Sequence, residues 1–282
     1  MMEILQEIVQ KHKLKLQKTS KLTGGDINEV YLLETSSGKY VVKIQKPQNL
    51  LPKLFEAEAK GLQLLRQSNT FVIPEVIANG TTKAGTYLLL SYIPDSLKDS
   101  NFWKVFGQNL AQMHRITAPH FGLDYHNYIG SLPQYNSTCT SAIEFYITQR
   151  LEPQLKISKD LGYNIPKLSI FYKNIENEIP NEIPSLIHGD LWNGNYLVAA
   201  NGLPALIDPA VAFAPREMDL AMMQLFGGFP KETFKAYDSH FPLQEGWKER
   251  IPLWQLYYLW VHLNLFGSGY QQSVFRIIKQ YS

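Results

Sequence analysis

The stretch from Leu186 to Asp208 reads LIHGDLWNGNYLVAANGLPALID, and it decides how the rest of the chain is interpreted. Acidic, amide and glycine residues lie between two apolar runs, and a second aspartate closes the stretch. Asn201-Gly202 is a strong signal for a tight hairpin turn. A two-residue turn there would pair Asn195 with Asp208 and leave Asp190 just upstream. Such an oxygen cluster suits Mg²⁺, which takes few protein ligands and keeps sites for phosphate oxygens.

The spacing of these residues matches that of the catalytic and metal-binding loops of kinases, in which an Asp is followed by an Asn and then by a second Asp. It predicts that Asp190 orients the accepting hydroxyl or accepts its proton, and that Asn195 and Asp208 hold Mg²⁺. His188 is expected to brace the loop rather than take part in the chemistry. Asp219 is expected to accept hydrogen bonds from the loop backbone, although it could also be a plain carboxylate at a helix start.

A second group of residues, earlier in the chain, is typical of phosphate binding. Lys43 lies in an apolar strand, and an unpaired buried charge is costly, so it needs a partner. Glu58 shares a helix face with leucines and is the natural counter-charge. The alternative is that Lys43 extends to solvent from an edge strand and Glu58 faces water. Gly24 and Gly25 precede the first strand and would let backbone N–H groups approach phosphate oxygens, although an ordinary turn is equally compatible.

The order of predicted elements indicates an α+β fold with two lobes. Residues 1–93 form a small β-rich nucleotide-binding lobe, and residues 94–282 form a larger, mainly helical catalytic and substrate-binding lobe. Predicted strands cover Glu29–Thr35, Tyr40–Gln45, Tyr87–Ile93 and short runs within Ser185–Asp208. Predicted helices cover Met1–Lys13, Leu54–Ser68, Phe102–His114, Ala142–Leu155, Glu217–Phe226 and Leu253–Leu265.

Several segments together resemble one kinase family. They are HGDLWNGN at 188–195, DPA at 208–210, REMDLA at 216–221, FGGF at 226–229, NYIG at 127–130 with PQ at 133–134, and NLFG at 264–267. These segments are similar to those of the fructosamine kinase (ketosamine-3-kinase) family, which belongs to the aminoglycoside-phosphotransferase-like kinases. The resemblance runs along most of the chain, and the Trp after the Asp-Leu pair is the narrower signature.

The resemblance implies a two-lobed, protein-kinase-like fold and the use of ATP and Mg²⁺. It implies phosphorylation of the 3-hydroxyl of ketosamines, the fructosamine or ribulosamine adducts of lysine, as a deglycation repair activity. Ser91, Tyr92 and Ile93 would form the hinge that binds adenine through its backbone. Trp192 and His262 would lie on the substrate side, although a buried core role fits either residue from its sequence position alone.

Composition narrows the class of partner. The formal net charge is +2 with interspersed signs, so nucleic acid is not an expected partner. No run approaches the ~20 apolar residues that span a bilayer, and a single cysteine cannot form an intrachain disulfide, so a cytoplasmic protein without a membrane partner is expected. Ketosamine small molecules or glycated protein lysines remain the expected substrates. The alternatives are a kinase acting on an aminoglycoside or choline-like alcohol, and a non-catalytic pseudokinase.

Overall fold

The computed structural model describes residues 2–22 and 28–282. Contacts divide the chain into two compact units. The first comprises Met1–Asp99 and Leu197–Asp208, and the second comprises Ser100–Tyr196 and Pro209–Ser282. Within the described ranges, no helix combines the length and the apolar character that are needed to cross a membrane.

The strands of the first unit form one antiparallel sheet and a short hairpin, and those of the second form two small pairs. In the described residues they are β1 (Leu16–Lys21), β2 (Glu29–Thr35), β3 (Gly38–Gln45), β4 (Val76–Thr82), β5 (Gly85–Ser91), β6 (Asn127–Ile129), β7 (Leu132–Gln134), β8 (Ser185–Ile187), β9 (Tyr196–Val198), β10 (Pro204–Leu206) and β11 (Ala212–Ala214). The large sheet has the order β1-β2-β3-β5-β4; β9 pairs with β10, β8 with β11, and β6 with β7.

Helices are sparse in the first unit and dominate the second. They are α1 (Met2–Lys11), α2 (Leu54–Gln67), α3 (Phe102–His114), α4 (Ala142–Phe145), α5 (Glu152–Asp160), α6 (Ser169–Glu178), α7 (Glu217–Leu225), α8 (Lys231–His240), α9 (Trp247–Phe266) and α10 (Gln271–Gln280). Short 3₁₀ turns cover Pro47–Asn49, Ala200–Gly202 and Ser268–Tyr270, and a π-helical segment covers Tyr146–Leu151.

One helix packs against each face of the large sheet. Ile4 and Ile8 of α1 pack on one face together with Val42 and Ile44 of β3, while α2 packs against β4 and β5. Because successive strand residues point to opposite faces, Lys43 lies on the face away from α1. The alternation of β3 therefore directs the single lysine of its core segment toward α2.

Two predicted helices differ from the structure. The helix predicted over Ala142–Leu155 is interrupted by the π-helical segment Tyr146–Leu151 and continues to Asp160. The helix predicted from Leu253 begins at Trp247, and Pro252 lies inside it. Proline in a helix interior removes a hydrogen bond and argues against a helix at the sequence level, which explains the late predicted start.

Candidate active site

Lys43 is the centre of a buried cluster of charges in the first unit. Its Nζ atom donates to Glu58 Oε1 and to Asp208 Oδ1, each at 2.6 Å. The lysine is 6% exposed, which excludes the alternative of an ammonium group extended into solvent. Burial alone would lower the pKa of Lys43, but the carboxylates of Asp208 and Glu58 outweigh it and raise that pKa well above its usual range. The lysine is therefore a permanent cation aimed at the carboxylate of Asp208.

Asp208 differs from its two partners in exposure and in backbone conformation. Its side chain is 41% exposed, compared with 11% for Glu58. Its φ is +56°, a left-handed value that is uncommon for residues other than glycine and that clusters at functional sites. Of the three charged groups, Asp208 has the most exposed side chain.

The turn between β9 and β10 is not the predicted two-residue hairpin. Asn201 and Gly202 do have the positive φ values of 62° and 71° that their identities favour. However, Ala199 N–H donates to Leu203 O at 2.8 Å, so Ala199 rather than Ala200 faces Leu203. The extra residue is taken up in a 3₁₀ turn over Ala200–Gly202. The predicted register is therefore wrong by one residue at the turn, and it cannot be used to pair Asn195 with Asp208.

The loop after β8 brings Asp190 and Asn195 together in the second unit. Asn195 Nδ2 donates to the backbone oxygen of Asp190 at 2.8 Å and to its Oδ2 at 3.2 Å. The loop is closed by Asn195 N–H, which donates to Trp192 O at 3.0 Å. Because the amide nitrogen is used toward Asp190, the side-chain oxygen of Asn195 is the atom that could ligate a cation.

Gly189 is required by the backbone at the start of this loop. Its φ is +83°, and an added Cβ would lie 2.0 Å from the carbonyl oxygen of Ala210. Ala210 N–H in turn donates to His188 O at 2.9 Å. This close approach leaves no room for a side chain, which accounts for the glycine between His188 and Asp190.

Asp219 lies beneath the loop and holds its backbone. Its Oδ2 accepts from His188 N–H at 2.7 Å and its Oδ1 accepts from Gly189 N–H at 2.8 Å. Asp219 is fully buried, so these are the charge-assisted bonds expected of a desolvated carboxylate. The predicted contact between Asp219 and the loop is present. His188 Nδ1 also accepts from Asp190 N–H at 3.3 Å, a contact within the same loop.

His114 and Tyr237 extend this support and were not predicted from the sequence. His114 Nε2 lies 3.2 Å from Asp219 Oδ2, and its Nδ1 lies 2.9 Å from the hydroxyl of Tyr237. Because a carboxylate can only accept, Nε2 carries the proton and Nδ1 accepts from Tyr237. A signal did exist: His114 follows Leu110 by four residues on the apolar face of α3, where a buried histidine needs polar partners.

We expect His114 to make the stability of this unit pH-dependent. Burial lowers the pKa of His114 below 6.5, and this effect outweighs the hydrogen bond to Asp219. The folded state then binds fewer protons than the unfolded state. The stabilising contribution of neutral His114 is therefore complete above about pH 6.5 and is lost as the pH falls, with a limiting slope of about 1.4 kcal/mol per pH unit.

The test is urea unfolding of wild-type protein and the His114→Gln variant between pH 7.5 and 5. The variant should be about 1–3 kcal/mol less stable at pH 7.5, because buried groups lose partners. The difference in unfolding free energy between wild type and variant should become smaller as the pH falls. The exposed His120→Gln variant controls for the loss of a histidine. Parallel pH curves for wild type and His114→Gln would contradict the assignment.

A second buried network, built by the β6–β7 hairpin, also escaped prediction. Gln134 Nε2 donates to Ala210 O at 3.0 Å, and Asn127 Nδ2 donates to Val211 O at 2.8 Å. Tyr257 of α9 donates its O–H to Gln134 Oε1 at 2.8 Å. These contacts join residues far apart in sequence, so only the segment resemblance at 127–134 pointed to them. The hairpin therefore holds the backbone at Ala210 and Val211, and Ala210 in turn contacts His188 at the start of the Asp190 loop.

The predicted substrate-side and nucleotide-binding residues differ in exposure and in hydrogen bonding. Trp192 is 38% exposed, which excludes a core role. His262 is half-buried on α9, with its Nδ1 2.7 Å from Tyr258 O. Ser91 and Tyr92 donate their N–H groups to Glu75 O and Lys39 O within the first unit, and Ile93 is buried. Gly24 and Gly25 lie outside the described residues.

The side chains of the site limit the kind of metal ion that it could hold. The described residues contain no cluster of three or more His, Cys, Asp or Glu side chains arranged to hold a metal ion. That excludes an all-protein cage in the described part of the chain, but Mg²⁺ bound through substrate phosphates needs only one or two protein oxygens. The carboxylate of Asp208 and the amide oxygen of Asn195 have the required hard-oxygen chemistry.

Comparison with known proteins places these features in one family. The sequence model of the fructosamine kinase family matches residues 1–282. A protein of Enterococcus faecium named "probable ketoamine kinase" is 38% identical over 276 residues, covering 95% of this chain and 97% of its own length. The crystal structure of a "putative fructosamine-3-kinase" from Haemophilus somnus has a TM-score of 0.88 at 28% identity, covering 99% of this chain and 96% of its own.

A more distant structural likeness identifies the fold. The choline kinase LicA from Streptococcus pneumoniae has a TM-score of 0.61 at 17% identity, covering 98% of this chain and 97% of its own. At that identity the likeness concerns the fold alone. The predicted two-lobed, protein-kinase-like fold, with a β-rich N-terminal lobe and a mainly helical C-terminal lobe, is confirmed. The chain belongs to the fructosamine kinase family.

Proposed function

We propose that this protein is an ATP-dependent kinase that transfers a phosphoryl group to the 3-hydroxyl of a ketosamine. Phosphotransfer to a hydroxyl follows from the family, while the identity of the hydroxyl is part of the proposal. The observation that carries the proposal is the loop geometry: Asn195 donates to Asp190, and Asp219 holds the loop backbone from below. A non-catalytic pseudokinase would have no need to retain all of these groups together with Lys43.

Asp190 is proposed to act on the accepting hydroxyl. The new bond forms between the acceptor oxygen and the γ-phosphorus, and the bond from that phosphorus to the bridging oxygen of ADP breaks. The hydroxyl proton passes to the carboxylate of Asp190. Phosphoryl transfer has a loose transition state, so orientation of the hydroxyl contributes more than strong basicity. The bond from Asn195 Nδ2 to Asp190 Oδ2 supports that orientation.

The first unit is proposed to bind the nucleotide, with Lys43 on the phosphates and Glu58 fixing the lysine side chain. Backbone groups of Ser91, Tyr92 and Ile93 would contact adenine, and Gly24-Gly25 would cover the phosphates. Asp208 and Asn195 would hold Mg²⁺, which supplies charge neutralisation at the phosphate oxygens when bound. These roles extend the proposal that residues 1–93 serve the nucleotide and residues 94–282 serve catalysis and the substrate.

The acceptor is proposed to be a sugar adduct of an amine, either as a free amino acid or on a protein lysine. Trp192 supports a sugar-binding role because a flat, exposed ring two residues after Asp190 can stack on a sugar face. His262 would lie on the same substrate side. Phosphorylation at the 3-position would make the adduct labile and return the free amine, which amounts to deglycation repair.

An acceptor panel tests this function against its main alternative. ATP turnover should be measured with fructoselysine, ribuloselysine, choline and kanamycin, with ATP hydrolysis in the absence of acceptor as the baseline. We expect kcat/KM for at least one ketosamine to exceed that for choline and kanamycin by about 100-fold or more, as hydrogen-bonding sites reject acceptors that leave their polar groups unpaired. Preference for choline or kanamycin would instead assign a kinase of the aminoglycoside or choline type.

A further inference from the structure

Three aromatic rings surround the imidazole of His262 at the end of α9. The ring centroids of Phe226, Phe266 and Tyr270 lie 4.9, 5.3 and 5.2 Å from that of His262. Phe226 is 40% exposed and Phe266 is 58% exposed, and Tyr270 is half-buried. We refer to Phe226, Phe266 and Tyr270, with His262, as the aromatic cluster. Large apolar rings gathered at the surface around a polar group are the composition of a ligand site rather than of a core.

The hydrogen bonding of His262 fixes which of its nitrogens can face a ligand. The carbonyl oxygen of Tyr258 can only accept, so Nδ1 of His262 carries the proton and donates at 2.7 Å. The neutral ring therefore presents Nε2 as a hydrogen-bond acceptor. Burial lowers the pKa of His262 and outweighs the bond to Tyr258, which favours this neutral form. The aromatic cluster thus combines ring faces with one acceptor nitrogen, a set that matches a ligand carrying a positively charged N–H group.

The aromatic cluster adjoins the loop that carries Asp190. Gly228, two residues after Phe226, approaches the loop so closely that an added Cβ would lie 2.5 Å from Asn193 Cβ. Gly228 has a φ of +91°, which favours glycine at this contact. The segment bearing Phe226 is therefore held against the loop three residues after Asp190. This contact is the observation that ties the aromatic cluster to the loop bearing Asp190.

We propose that the aromatic cluster binds the secondary ammonium group of the ketosamine, with its charge against the rings and its N–H donated to His262 Nε2. This inference rests on the proposed function and adds the part of the substrate that the site distinguishes. Ring faces attract cations through their quadrupole, by about 0.5–2 kcal/mol depending on desolvation. The site would thereby select amine adducts over the parent sugars, which carry no cation.

The test compares two acceptors that share the sugar and the lysine chain but differ at the nitrogen, which is a charged N–H donor in one and a neutral, acetylated amide without N–H in the other. Fructoselysine carries a basic secondary amine, and its analogue acetylated on that nitrogen is a neutral amide. The Phe226→Leu, Phe266→Leu double variant keeps apolar bulk at two exposed positions but removes both π faces. We expect its kcat/KM for fructoselysine to fall about tenfold, while kcat/KM for the amide changes less than about twofold. An equal fall for both acceptors, or no fall for either, would overturn the proposal.

Tyr135→Leu is the matched control, because Tyr135 is 42% exposed and its ring also packs on a histidine, with 5.3 Å between its centroid and that of His126. This variant should leave kcat/KM unchanged for both acceptors. A second measurement does not depend on turnover: titration with N-ε-propyl-lysine, a secondary ammonium without a sugar, should shift the imidazole ¹⁵N resonances of His262 in wild type. An absent shift would overturn the inference even in an active enzyme. A shift in an enzyme inactive on all ketosamines would overturn the proposed function alone.

Discussion

Replacing Asp190 by asparagine should lower kcat for the ketosamine by about 1000-fold and leave KM for ATP nearly unchanged. The amide has the same shape, but it cannot accept the hydroxyl proton and carries no charge to orient the hydroxyl. The loop itself should persist, because Asn195 Nδ2 also donates to the backbone oxygen at position 190. Asp219 holds His188 and Gly189 independently of that side chain. Initial rates over a matrix of ATP and ketosamine concentrations give both parameters.

A matched control separates loss of chemistry from loss of folding. Asp160→Asn makes the same chemical change at an exposed position at the end of α5 and should retain wild-type kinetics. Thermal unfolding of Asp190→Asn should stay close to that of wild type. If Asp190→Asn kept more than about a tenth of wild-type turnover, Asp190 could not be the group that receives or orients the hydroxyl.

Local periodicity predicted the elements whose apolar residues follow a regular pattern. The helix predicted over Phe102–His114 has the same limits in the structure, because Phe102, Phe106 and Leu110 recur every four residues and are fully buried. The hairpin predicted around Ser36-Ser37-Gly38-Lys39 is present, but it is tighter than predicted, because Thr35 pairs with Gly38 and the second strand begins at Gly38 rather than at Tyr40. The short helix α6 was missed, since its only buried residues are Phe171 and Ile175 and tertiary packing supplies most of its stability.

The π-helical segment Tyr146–Leu151 shows why other features could not be predicted. It contains Arg150, which is 1% exposed although charged residues are rarely buried unless paired. Arg150 donates to Asn136 Oδ1 at 2.9 Å, and its guanidinium lies 4.4 Å from the centroid of the Phe145 ring. These partners become neighbours only when the chain is folded. The sequence around Arg150 therefore favours an ordinary exposed helix.

In the candidate site, too, contacts that follow from local patterns could be predicted, whereas contacts that depend on tertiary structure could not. The ion pair of Lys43 with Glu58 could be predicted because each residue lies on the inward face of its own element, which two local patterns reveal. The bond from Lys43 to Asp208 joins residues 165 positions apart and depends on tertiary structure. The turn after β9 was misjudged because an Asn-Gly pair specifies positive φ values without fixing whether one more residue joins the turn.

The second large effect is expected from Asp208→Ala, which should abolish the Mg²⁺ dependence of nucleotide binding. In the proposed nucleotide complex, the carboxylate of Asp208 would repel the triphosphate unless a cation lay between them. In the structure this carboxylate accepts from Lys43 Nζ at 2.6 Å. Without that carboxylate, Lys43 remains paired with Glu58 and keeps its charge, so the unit should still fold. The affinity for metal-free ATP should stay the same or rise, because one negative charge is gone and the lysine can turn toward phosphate.

Calorimetric titration of ATP with and without Mg²⁺ measures the difference between these two affinities. We expect Mg²⁺ to strengthen binding by about tenfold or more in wild type and by less than about twofold in Asp208→Ala, because the variant lacks the carboxylate that would hold the cation beside the phosphates. Asp95→Ala, at an exposed position of the same unit, should behave as wild type. An unchanged Mg²⁺ effect in Asp208→Ala would remove Asp208 from metal binding and leave it only as a partner of Lys43. Retained turnover in that variant would extend the contradiction to catalysis, because the cation that offsets charge at the transferring phosphoryl group would then be held by other residues.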